Sequence, residues 1–173
     1  LERLPPDKPR RVADLGTGCG AIALALARER PLSHIVATDI SDAAIAVARQ
    51  NERWHGIPNV VFHESIWFAA LEGQQFDLIV SNPPYVAAGD PHLATLRFEP
   101  RTALVSGADG LDALRLIIRE APAYLGANGW LLVEHGADQG DVLRSLFTAA
   151  GFTSVETLPD LAGLPRVTAG RHG

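Results

Sequence analysis

Arg11-Val12-Ala13-Asp14-Leu15-Gly16-Thr17-Gly18-Cys19-Gly20, running straight into Ala21–Arg30 and on to His34–Asp39, is the stretch from which the architecture is read. Arg11–Leu15 is a short strand-type run that stops at closely spaced glycines. Ala21–Arg30 is rich in Ala and Leu and apolar on nearly every face, which predicts a buried helix ended before Pro31. His34–Asp39 reads as a second strand. A strand, a glycine turn, a helix and another strand, in that order, set an alternating β and α rhythm.

The rhythm continues outward. Ser41 is a capping residue for a helix through about Trp54, with Asp42 in its first turn, where a negative charge suits the helix dipole. Val60–His63 and Phe76–Ser81 read as the third and fourth strands. Leu114, Ile117, Ile118, Ala121 and Leu125 stand at helical spacing within 111–125, with a kink expected at Pro122. Trp130–Glu134 is the fifth strand. Asp141–Ala150 is a helix expected to turn Val142, Leu143, Leu146 and Phe147 inward, with Gly151 just past its end. Phe152–Thr157 and Arg166–Arg171 close the chain as strands joined by a loop too short for a helical crossover, so they are expected to be antiparallel neighbours. Alternating segments of this kind imply a mostly parallel sheet with helices on both faces.

Composition sets the bounds. With 173 residues, of which 47% are apolar and 20% charged, the chain has the make-up of one globular domain rather than a disordered segment. A net charge of −5 argues against a general polyanion binder, although all but one of the basic residues are Arg. The single cysteine, Cys19, excludes an internal disulfide and suits a reducing compartment. No uncharged run has the length of a membrane span, and Leu1–Arg11 lacks the apolar centre of a signal peptide. Neither a Cys pair nor a His-Glu-x-x-His motif is present, so no metal site is expected. His63, His92 and His135 are scattered and form no dyad.

Two places carry chemistry. At Asn82-Pro83-Pro84-Tyr85 the fourth strand stops at an amide, two prolines and an aromatic ring. The prolines lock the chain into an extended turn, presenting a side-chain carbonyl and a backbone carbonyl with no N–H beside it. Those are the parts needed to hold a planar –NH2 group by both hydrogens. The stretch from Asn82 to Leu111, with four prolines in all and little periodicity, is longer than an ordinary connection and leaves the C-terminal end of a strand, so it is read as the substrate-side wall.

The second place is the glycine turn. Glycines there allow a tight bend and a close approach of backbone N–H groups to a ligand. Gly16-x-Gly18-x-x-Ala21 also fits the dinucleotide fingerprint, and Asp39 stands where a ribose-binding acid belongs in either reading. Taken singly, the glycines are equally a plain turn, and Asp39 with Ser41 a plain helix start. The acid at Asp14, the Gly-x-Gly-x-Gly spacing and the Asn-Pro-Pro-Tyr turn together favour S-adenosylmethionine over a nicotinamide cofactor.

On Asp14–Ala25, Asp39, Ser81–Tyr85, Arg97–Leu104, Glu134-His135-Gly136 and Arg166-Val167-Thr168, the chain resembles the release-factor glutamine methyltransferases over nearly its whole length. The resemblance implies a Rossmann-like class I S-adenosylmethionine-dependent fold, with a seven-stranded, mostly parallel sheet and an antiparallel last strand. It implies methylation of the side-chain nitrogen of glutamine in the Gly-Gly-Gln motif of class 1 peptide chain release factors, leaving S-adenosylhomocysteine. Asn-Pro-Pro-Tyr alone is shared with methylases of adenine N6 and guanine N2 in nucleic acids, which form the alternative; Phe98-Glu99-Pro100 narrows the choice to glutamine.

By the same resemblance, Asp14, Gly16, Thr17, Gly18, Cys19 and Gly20 belong to the cofactor site, Asp39 takes the ribose hydroxyls and Trp67 flanks the adenine. Asn82 touches both cofactor and substrate. Asn82 and the Pro83 carbonyl accept the amide hydrogens, Pro84 stiffens the turn, and Tyr85 covers the amide plane. The position before Trp67, often Asp in the family, is Ile66, so a hydrogen bond worth about 0.5–1.5 kcal/mol is lost there. Residues 1–10 are expected to be the remnant of a linker and 11–173 the catalytic domain, with the family's helical docking domain missing ahead of it. The expected setting is a cytoplasmic monomer acting on a protein, with no direct nucleic-acid or membrane contact.

Overall fold

The computed structural model describes residues 1–94 and 100–173. Its strands are β1 (Arg11–Leu15), β2 (His34–Asp39), β3 (Val60–Glu64), β4 (Phe76–Ser81), β5 (Leu125–Glu134), β6 (Thr153–Pro159) and β7 (Pro165–Arg171). The helices are α1 (Ala21–Glu29), α2 (Asp42–His55), α3 (Arg101–Leu104), α4 (Asp112–Glu120) and α5 (Gly140–Ala149). The strands form one sheet in the order β3-β2-β1-β4-β5-β7-β6. β7 alone runs against its neighbours, pairing antiparallel with both β5 and β6.

Because side chains alternate along a strand, each central strand feeds two apolar layers. Ala13, Ile79, Leu131 and Val133 join α4 and α5 through Leu114, Ile117, Leu143 and Phe147. Val12, Leu78 and Val80 join α1 and α2 through Ala23, Leu24, Ile45 and Ala48. α2 is bounded as its sequence predicts: the Ser41 hydroxyl accepts from the Ala44 N–H at 3.2 Å, and Gly56 ends the helix in the left-handed region.

Four local expectations are corrected. α1 buries only Ala23, Leu24, Leu26 and Ala27, because one side of it meets the sheet; Ile22 is left on the other side. On α5, Leu143 and Phe147 are buried and Leu146 packs partly buried beside them, while Val142 is exposed because it lies outside the stripe that those i, i+3 and i+4 positions form. Pro122 does not kink α4. The α-helix ends at Glu120 and Ala121–Tyr124 follows as one 3-10 turn, with Pro122 at the start, where a missing N–H is harmless. β5 begins earlier than Trp130: Leu125 already pairs with Phe76, the register then shifts, and Asn128 takes a φ of 66° before Trp130 pairs with Leu78.

Residues 1–4 are fastened to the domain. Leu4 is buried, Arg30 donates to the carbonyls of Leu1 and Leu4, and the Arg3 guanidinium stacks 4.1 Å from the Trp130 ring while pairing with Glu156. Among the described residues, no helix is long and apolar enough to cross a membrane.

Candidate functional site

β1 and β4 are adjacent, yet the chain leaves them toward opposite edges of the sheet, so a crevice opens outside their C-terminal ends. Leu15 stands level with Ser81, and the Ser81 hydroxyl donates to the Leu15 carbonyl at 2.7 Å. That bond sets the glycine loop beside Asn82. A cavity of about 770 Å³ occupies the crevice, within the range of small-molecule sites.

Gly16, Thr17, Gly18 and Cys19 form one wall with Asp39, Ile40 and Ser41. The Gly16 and Thr17 N–H groups both donate to the Thr38 carbonyl, at 2.8 and 2.9 Å, and so clip the loop to the end of β2. Asp39 accepts from the Gly18 N–H at 2.8 Å on one oxygen and from the Ser41 N–H at 2.9 Å on the other. An ionised carboxylate has about four acceptor positions, so two bonds orient it and leave lone pairs for a ligand's hydroxyls. Trp67 closes the end of this wall, with a left-handed φ of 46° and its carbonyl accepting from the Thr38 hydroxyl at 3.0 Å. Its ring edge lies over Gly16 while the side chain also packs against the core.

Asp14 and Gly20, expected on this wall, are not brought to it. Alternation along β1 turns Asp14 under α1, where it is 1% exposed. One oxygen accepts from the Thr17 hydroxyl at 2.6 Å and from the Ala23 N–H at 3.1 Å, and the other has no partner. Burial pushes the carboxyl up to about 6, against the pull of those two bonds. Asp14 therefore fastens the loop to the start of α1 from beneath. Gly20, at φ 84°, lets α1 approach α2: a Cβ there would stand 3.1 Å from the Ala48 Cβ.

Asn82 is exposed on the opposite wall, with Pro84, Pro100, Thr102 and Ala103 beside it. The turn's remaining members, Pro83 and Tyr85, are not among the residues that line the cavity. Pro83 is buried, and Tyr85 is half-buried with its hydroxyl 3.3 Å from the Glu134 carboxylate. Burial and then Glu134 raise the phenol's pKa, while Arg166 opposes the rise. Beyond the turn the chain doubles back on itself: the Val86 N–H donates to the Leu104 carbonyl at 2.9 Å, and the Ser106 N–H to the Val86 carbonyl at 3.0 Å. This clip carries the Pro100–Ala103 stretch to the wall. Arg97, Phe98 and Glu99, which narrowed the sequence reading, lie outside the described residues.

Sequence reasoning did not single out Ile22, Ile40, Ala44, Val47 or Ser65, which also line the cavity. Ile40 was findable, since it directly follows Asp39 at a strand end. Ile40 and Ile66 are 65% and 59% exposed, large apolar side chains held open on one rim, suited to a flat apolar ligand surface. His135 is buried, its two ring nitrogens bonded to the Gly136 carbonyl and the Thr168 hydroxyl, and it does not reach the cavity. Among the described residues, no group of His, Cys, Asp and Glu is placed to hold a metal ion.

The profile of the family described as methyltransferase small domain matches residues 1–98. A release factor glutamine methyltransferase of Xylella fastidiosa is 57% identical over 173 residues, covering 99% of this chain and 63% of that protein. Proteins of the same name from Coxiella burnetii and Escherichia coli are 47% and 48% identical, with 100% and 99% of this chain covered and 62% of each relative. The chain thus spans less than two thirds of the length of these curated relatives. Among solved structures, a T. thermophilus 16S rRNA methyltransferase in complex with AdoMet and guanosine superposes with a TM-score of 0.74 at 24% identity, over 99% of this chain and 40% of that one. A ribosomal protein L11 methylase of Lactobacillus delbrueckii gives 0.68 at 23% identity, over 96% and 72%. These two likenesses bear on the fold alone, which is that of class I methyltransferases.

Proposed function

This chain belongs to the methyltransferase small-domain family, and from that premise we propose that it methylates the side-chain amide nitrogen of the glutamine in the Gly-Gly-Gln motif of class 1 release factors, with S-adenosylmethionine as donor. The observation that carries the reading is the facing of two walls across one cavity: a glycine loop with an oriented carboxylate on one side, and an exposed Asn82 on the other. The names of its relatives supply the acceptor, a glutamine.

The residues present suit the donor. Asp39 has lone pairs to spare for two ribose hydroxyls, in strong charge-assisted bonds. Trp67, Ile40 and Ile66 offer apolar surface to an adenine ring, although Ile66 gives its amine no acceptor. Gly16–Cys19 would hold the methionine end. When bound, S-adenosylmethionine supplies an electrophilic methyl group on its sulfonium and leaves as S-adenosylhomocysteine.

The chain's own part is to hold the acceptor. An amide nitrogen is a weak nucleophile because its lone pair is delocalised into the carbonyl. The Asn82 side-chain carbonyl and the Pro83 backbone carbonyl accept the two amide hydrogens and turn the nitrogen toward the glycine-loop wall. Positioning of this kind supplies about 7–11 kcal/mol of a barrier. As positive charge grows on the nitrogen its hydrogens become better donors, so both bonds strengthen in the transition state, where strengthening raises the rate, and the methylated nitrogen then gives up one of its two protons to water to leave a neutral N-methyl amide. Tyr85 contributes by anchoring the end of the turn. Residues 11–173 act as the catalytic domain, and on this reading the enzyme works in the cytoplasm, as a monomer on a protein.

Incubation with labelled S-adenosylmethionine and a panel of release factor, tRNA and ribosomal RNA tests the proposal. Label is expected on the release factor. Label on nucleic acid alone would overturn it.

A further inference from the structure

The acceptor turn has little backbone of its own with which to be held. Pro83 and Pro84 lack N–H groups, so restraint must come from the turn's carbonyls and from its far end. At that far end the Tyr85 carbonyl accepts from Gln139 Nε2 at 3.1 Å. The other end of the same amide, Gln139 Oε1, accepts from the Gly136 N–H at 2.9 Å. Gly136 lies just past β5 and Gln139 stands at the start of α5, where its own N–H donates to the Gly136 carbonyl at 3.0 Å. One side-chain amide therefore spans the β5–α5 turn and the acceptor turn, using a donor at one end and an acceptor at the other. Gly110 packs against the same junction: at its φ of 77°, a Cβ would fall 2.2 Å from the Tyr85 carbonyl oxygen and 3.0 Å from Gln139 Nε2.

We propose that Gln139 is a positioning residue for methyl transfer, its amide clamping the Tyr85 carbonyl to the β5–α5 turn so that Asn82 and Pro83 meet the substrate amide in one orientation. What the fixed turn does rests on the function proposed above; the clamp itself does not. Gln139 is not on the cavity wall, so it acts through the turn and touches neither donor nor acceptor. Glutamine suits the role because it is neutral and offers both a donor and an acceptor. Leucine of similar size offers neither. Glutamate keeps the acceptor for Gly136 but sets a second acceptor against the Tyr85 carbonyl until it is protonated.

The test compares Gln139→Glu and Gln139→Leu with the wild-type chain, by amide hydrogen exchange and by methylation of a release factor. Exchange at Val86, the first N–H after the clamped carbonyl, is expected to speed up about fivefold or more in both variants. Turnover is expected to fall about tenfold, the scale of one lost hydrogen bond at a reacting geometry, while cofactor affinity stays within about twofold. Lowering the pH should restore turnover of Gln139→Glu relative to Gln139→Leu, because the protonated carboxyl donates to the Tyr85 carbonyl. A purely structural role would not produce that recovery. Unchanged exchange at Val86 overturns the clamp. Faster exchange with undiminished turnover, or an equal loss of cofactor affinity, overturns the positioning role. If the wild-type chain leaves release factors unmethylated, the proposed function fails, and the exchange measurement still decides the clamp.

Discussion

The loop at Gly16–Gly20 is tied down largely by near neighbours in sequence, whereas the turn at Asn82–Tyr85 is tied down by residues from distant parts of the chain. Thr17 and Ala23 bond to Asp14, and Gly18 to Asp39, all within about two dozen positions. On the other wall, Tyr85 is held by Gln139 and approached by Gly110 and Glu134, and the strand leading to the turn is latched to β1 through Ser81. A glycine loop secured locally needs one strand–helix–strand unit for its bonds. The Asn82–Tyr85 turn draws its bonds from β5, α5 and the 100–111 segment. The glycine-loop wall is thus the property of one supersecondary unit, and the Asn82 wall belongs to the whole domain.

If the two walls are separable in this way, Asn82→Ala should cost about a hundredfold or more in turnover, the usual scale for losing one group that stabilises a transition state, with cofactor affinity by calorimetry within about twofold. A matching loss of cofactor affinity would break the distinction. The next effect belongs to Asp14. Its carboxyl is pushed up to about 6 in the folded chain against about 3.9 when unfolded, so the folded form holds the proton more tightly. The resulting penalty is absent below the unfolded value, grows as pH rises between about 4 and 6, and stays constant above, reaching about 3 kcal/mol. Asp14→Asn removes the titration, so urea unfolding should show the variant gaining on the wild type across that interval. A difference that does not change with pH would contradict the buried, half-partnered carboxylate.

Asp39→Ala should weaken cofactor binding about ten- to a hundredfold in calorimetry, the span of one or two charge-assisted hydrogen bonds. Thr17→Val sharpens the comparison at its smallest scale. It removes one local bond and should lower stability by about 1 kcal/mol in denaturant unfolding. Hydrogen exchange in the Val86–Ser106 clip should not respond, because nothing local to the glycine loop holds it.

The same contrast explains what could be read from residue order. β1, β2 and β4 fall at the predicted bounds, and Asp39 meets the glycine loop, because period-two runs, glycine turns and caps act over short distances. The place of Asp14 beneath the loop is legible as well: it shares a strand face with Val12, which packs into the α1–α2 layer, so alternation directs it there. Val142 reads as a core residue because it is apolar, although the contact stripe of α5 passes through Leu143, Leu146 and Phe147. No spacing rule links Gln139 to Tyr85, or Gly110 to either. Residues far apart along the chain meet there through the crossing order of the sheet. The docking of residues 1–4 through Leu4 and Arg3 is hidden for the same reason.

The most direct measurement on the central claim is fragmentation mass spectrometry of a release factor after incubation with this chain and S-adenosylmethionine. The account predicts one added methyl group on the side-chain nitrogen of the Gly-Gly-Gln glutamine, accumulating about a hundredfold or more slowly with Asn82→Ala. A methyl group on any other residue, or one that accumulates at that glutamine at an undiminished rate in Asn82→Ala, would contradict it.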